Sequence, residues 1–119
     1  MTDISTTFRI PIYRCKLSIY LCERIDVCYA RVHKEPIDNK MEVYEGLSSS
    51  DEGKFYLYFR PKMVSHWVIA HEVTHVTNDI MRYVGHGLVG DMDEPHAYLS
   101  GYITDRIYKF LNKREIVIK

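Results

Sequence analysis

Between Phe8 and Leu21 apolar and polar residues alternate, with Tyr13, Cys15, Leu17, Ile19 and Leu21 on one face and Arg14, Lys16, Ser18 and Tyr20 on the other. A period of two predicts strand, with Pro11 marking an edge or a break. Over residues 23–34, Ile25, Val27 and Tyr29 alternate, yet Ile25, Cys28, Tyr29 and Val32 also fall at i, i+3, i+4 and i+7. A helix is the preferred assignment there. KEPIDNK at 34–40 reads as a loop, and MEVYEGL and KFYLYFR flank the polar SSSDEG as the two arms of a hairpin.

Residues 62–83 follow a helical period. Pro61 suits the first turn and Gly85 the end, and Ile69, Val73, Val76, Ile80 and Val84 form the core-facing stripe. After the glycine-containing GHGLVGDMD, a second long helix is expected over 94–112, capped by Asp91 or Asp93, with Pro95 tolerated in its first turn. Leu99, Ile103, Ile107, Phe110 and Leu111 supply its apolar stripe, and the tail REIVIK is β-branched enough to add a short strand. A small N-terminal sheet, antiparallel or mixed, followed by two long helices is α+β.

The 119 residues predict one domain spanning 1–119. A composition 46% hydrophobic and 27% charged is that of a soluble globular chain. Sixteen Lys+Arg balance sixteen Asp+Glu, so no overall field favours nucleic acid or an anionic membrane, and neither is expected as a partner. No apolar run approaches a bilayer-spanning length and MTDISTTF is polar, so a cytosolic location is expected. Cys15, Cys22 and Cys28 lack C-x-x-C spacing and read as reduced, buried thiols rather than nucleophiles or zinc ligands.

The candidate chemistry lies in VIAHEVTHVTND, residues 68–79. On the helical wheel His71, His75 and Asp79 share a face far from the main apolar stripe. Residues at i and i+4 have Cβ atoms about 5–6 Å apart, so two imidazoles can converge on one zinc ion. Glu72, about 100° round the helix, stands beside that ion, placed to take a proton from its water. The plainer alternative is a surface helix that happens to carry histidines.

A catalytic zinc needs a third protein ligand and an open position. Glu94, at the start of the next helix, is the preferred candidate, sharing a face with Tyr98, Gly101 and Asp105, and Gly101 would let the two helices approach closely. Glu94 is also a favourable charge at a helix N-terminus. His66, His86 and His96 are competing ligands.

With HEVTH followed by Asp79, and Asp93-Glu94 opening the next helix, the chain resembles the gluzincin metallopeptidases of the thermolysin kind. Its short two-helix form is similar to the minigluzincins and the small phage-type zinc peptidases. The match covers the active-site helix and the glutamate helix start. The resemblance implies a zincin-like fold, zinc held by His71, His75 and Glu94, and Glu72 as general base in peptide hydrolysis. It makes 54–60 the edge strand along which a peptide or protein substrate lies. It also implies that Asp79 and Asp93 orient the histidine rings.

Two departures from the family pattern stand out. Tyr98 occupies the position of the family's aspartate four residues after the glutamate ligand, and no large C-terminal subdomain supplies the oxyanion-steadying histidine. Tyr83, His86, Tyr98 and Tyr102 are candidate donors, His86 being preferred. Two rival roles keep the zinc: a non-catalytic module acting in protein–protein interaction, and a latent enzyme whose REIVIK tail folds into the cleft or pairs with the exposed strand.

Overall fold

A computed structural model describes residues 3–85 and 93–119. Two strands, β1 (Ile4–Ile10) and β2 (Cys15–Leu21), pair antiparallel from Ile4↔Leu21 to Ile10↔Cys15. The break predicted at Pro11 is the tight turn between them, in which Ile12 and Arg14 both adopt positive φ. Cys15, Leu17, Ile19 and Leu21 are buried along the predicted face of β2. Helix α1 (Ile25–His33) follows, and Lys34 closes it in a left-handed conformation with its N–H bonded to the Ala30 carbonyl.

A 3-10 turn (Asn39–Val43) leads into β3 (Gly46–Asp51) and β4 (Lys54–Phe59). The hairpin exists, but its arms are shifted. Residues 41–43 lie in the 3-10 turn, and Ser48, Ser49 and Ser50 are strand rather than loop. The turn is only Glu52 and Gly53, both at positive φ, as a two-residue hairpin turn demands.

The strand order β1-β2-β4-β3 corrects the expectation for residues 54–60. Strand β4 pairs parallel with β2 and antiparallel with β3, so it is interior, and the edges are β1 and β3. The physical reason is burial on both faces. Phe55, Leu57 and Phe59 face the main core, while Tyr58 lies under α1 with Cys22, Ile25 and Cys28. There the Tyr58 hydroxyl and His33 Nε2 are 2.7 Å apart.

The other face of the sheet is covered by α2 (His66–Tyr83) and α3 (Asp93–Lys113). Ile69, Val73, Val76 and Ile80 of α2 and Leu99, Ile103, Ile107, Phe110 and Leu111 of α3 are buried, as their spacing predicts. Pro61 does not open α2; it lies in a turn closed by the Met63 N–H and the Arg60 carbonyl, and Ser65 caps the helix by accepting a hydrogen bond from the Val68 N–H at 3.1 Å. Gly85, at φ 86°, follows its end. Gly101 does not mediate a helix contact: it is exposed, and an added β-carbon would meet nothing within 4 Å.

The tail after α3 forms no strand. Its Lys119 N–H bonds to the Val64 carbonyl at 3.0 Å, and Ile116 and Ile118 pack against the core. Cys15, Cys22 and Cys28 are buried and unpaired. No described helix is long and apolar enough to cross a membrane.

Candidate active site

The cap at Ser65 and the core stripe fix the rotation of α2, and with it the chemistry of its remaining faces. His71 and His75 are exposed one turn apart, their ring centroids separated by 4.8 Å at 78°. Neither ring makes a hydrogen bond to any described residue. The Trp67 indole, itself 70% exposed, stacks on His71 at 4.9 Å and 19°.

Glu72 differs from its two neighbours: it is buried. It sits where the edge strand β3 crosses α2. An added β-carbon on Gly46 would stand 2.7 Å from Val68 Cγ1 and 3.1 Å from Glu72 Cγ, so the strand reaches the carboxylate only because Gly46 has no side chain. Burial pushes the Glu72 carboxyl above its ordinary pKa, with His71, His75 and the Ser48 hydroxyl pulling the other way.

A groove of about 450 Å³ runs along this crossing, lined on one side by Tyr44, Gly46, Leu47 and Ser48 and on the other by His71, Glu72, His75 and Asp79. Tyr44 and Gly46 were not singled out by the sequence. No periodicity marks them, because their role follows from strand order. Asp79 lies at the groove but its carboxylate pairs with Arg82 at 3.1 Å rather than with a histidine ring.

The other candidate residues are placed elsewhere. Glu94 is exposed and lines a separate groove with Ala97, Tyr98, Gly101 and Tyr102. Two residues on, His96 Nε2 lies 2.7 Å from Asn78 Oδ1 of α2. Glu94, about 200° round the helix from His96, therefore turns away from α2. Tyr98 is 78% exposed on that same outer side, not beside Glu72. Tyr102 packs edge-on against Phe8, and Tyr83 against Phe55. His66 Nδ1 lies 2.6 Å from the Tyr108 hydroxyl, and His66 does not line the groove that holds His71 and His75. His86, Asp91 and the side chain of Asp93 lie outside the described residues.

The donor set fits zinc in part. Two unengaged imidazoles one turn apart match the two-histidine half of such a site. Among the described residues, however, no group of three His, Cys, Asp or Glu side chains is gathered for a metal. Comparison with models of protein families, with curated proteins and with solved structures finds no match to this chain.

Proposed function

We propose that the chain is a zinc-dependent peptidase of the gluzincin kind, with His71 and His75 holding the metal and Glu72 as general base; Glu94, turned away from α2, is not placed to complete the ligand set. The observation that carries this is a buried carboxylate flanked by two unengaged imidazoles at the edge of a sheet. Zinc bound there supplies a water of lowered pKa and polarises the scissile carbonyl. Burial raises the basicity of the Glu72 carboxylate, which suits it to accept a proton from water and pass it to the leaving amine.

The substrate strand belongs on β3, not on residues 54–60. An extended peptide adding to the outer edge of Gly46–Asp51 would pass along the groove that Glu72 and both histidines line. Tyr44 stands on the groove wall and, in place of the outward-facing Tyr98, is a phenol available to steady an oxyanion. Three reduced thiols suit the cytosol.

The test is cleavage of a broad peptide library by wild type and Glu72→Gln, with zinc content measured on both. Zinc retained and cleavage lost in the variant supports the assignment; full activity in the variant overturns it. The outward placement of Glu94 favours a second role, a zinc-binding module that does not hydrolyse. Zinc affinity unchanged in Glu94→Ala, with no cleavage by wild type, would select that role.

A further inference from the structure

A second, wider groove of about 630 Å³ lies between β1 and the C-terminal half of α3, away from His71 and Glu72. Thr6, Phe110 and Asn112 line it together with four cations, Arg106, Lys109, Lys113 and Arg114. The chain as a whole is neutral, so this concentration of charge is local. Arg106, Lys109 and Lys113 fall at i, i+3 and i+7, one face of the helix over about 10 Å.

Two of the cations are held in place by aromatic rings. The Arg106 guanidinium lies over Phe8, 4.0 Å from the centroid, and Arg114 over Phe110 at 4.2 Å. Arg114 also donates to the Phe110 carbonyl at 3.3 Å. Lys109 pairs with Asp105 at 2.8 Å, an exposed contact of little strength. Among the described residues Arg106, Lys113 and Arg114 have no carboxylate partner. Three cations without a direct carboxylate partner among the described residues therefore meet at one groove, with Thr6 and Asn112 as neutral donors.

The geometry points to a binding site for a compact anion carrying two linked phosphoryl groups. A single carboxylate would leave most of the charge unmet. A diphosphate brings roughly three negative charges, since phosphoryl groups carry about 1.5 to 2 each. Guanidinium forks match phosphate oxygens in pairs, and stacking on a ring fixes a fork before the ligand arrives. The volume suits one small molecule rather than a long polymer.

The experiment is calorimetric titration of the metal-stripped full chain with pyrophosphate at low salt. Saturable one-to-one binding is expected, at least about tenfold tighter than for inorganic phosphate and weakened by added salt. Arg106→Gln and Lys113→Gln should each weaken it about tenfold, while Lys40→Gln and His71→Ala leave it unchanged. Lys113 is exposed, so its variant remains informative if Arg106→Gln fails to fold. A nucleoside diphosphate arm identifies the source: equal affinity means the phosphoryl groups alone are read, and tighter binding means the nucleoside is read as well. No saturable pyrophosphate binding overturns the proposal. So does a preference for an acidic peptide, or for an oligonucleotide with affinity growing with length.

Discussion

A β-carbon added to Gly46 would stand 3.3 Å from Glu72 Oε2, which makes this glycine the point where the edge strand rests on the buried carboxylate. The same atom would be 2.7 Å from Val68 Cγ1. Gly46→Ala should therefore cost about 1–3 kcal/mol through overpacking and lower any hydrolytic activity by moving β3 off α2. Val68→Ala in that background should recover part of the loss, because it removes the closest contact. A double-mutant cycle read by chemical denaturation checks this, and simple additivity would exclude the coupling.

In the metal-free protein, Glu72→Gln should leave the fold intact and raise its stability at neutral pH. Burial raises the folded pKa of this carboxyl, so the folded state binds a proton more readily than the unfolded chain. Its stabilising contribution is full below the unfolded value of about 4.3 and is lost as pH rises through the folded value. The gain from Gln should accordingly be larger at pH 7 than at pH 4 when denaturation midpoints are compared. Equal gains at both pH values would contradict the burial of an ionisable group there.

Asp26 behaves in the opposite sense. Its buried carboxyl receives the Arg24 guanidinium at 2.6 Å and the Val27 N–H at 2.9 Å, which hold its pKa below the ordinary value. That stability is present above about pH 3.9 and disappears as pH falls through the folded pKa. Asp26→Asn should lower the denaturation midpoint at pH 7, with the gap to wild type closing towards pH 2. A gap that persists at pH 2 would mean that the ion pair is not its origin.

The two helices were legible because a 3.6-residue period needs no knowledge of neighbours. The Ile69–Ile80 and Leu99–Leu111 stripes are both buried as expected. Strand order was not legible in the same way. Serines 48–50 read as loop by composition, although an edge strand over a polar groove has no apolar face to fill. KFYLYF did carry a usable signal: its near-continuous aromatic and apolar run is what burial on both faces produces, and it marks an interior strand. Gly46, by contrast, has no local mark, since its role depends on which strand crosses Glu72. HEVTH located the histidines and their buried glutamate. The facing of Glu94 depends on how α3 docks, where His96 meets Asn78.

Deleting residues 114–119 should destabilise the chain without activating it. The tail bonds to Val64 and His66 through Lys119 and packs Ile116 and Ile118 on the core, and none of its residues lines the groove at Glu72. A lower melting temperature with unchanged cleavage per folded molecule is the expected result. A gain in activity would restore the latent role of REIVIK.

The most direct measurement is zinc stoichiometry by mass spectrometry of metals on purified protein, wild type beside His71→Ala. One zinc per wild-type chain, lost in His71→Ala while the circular dichroism spectrum is retained, is the predicted result. A wild type that takes up no zinc, or a variant that keeps it, would contradict a metal held by His71 and His75.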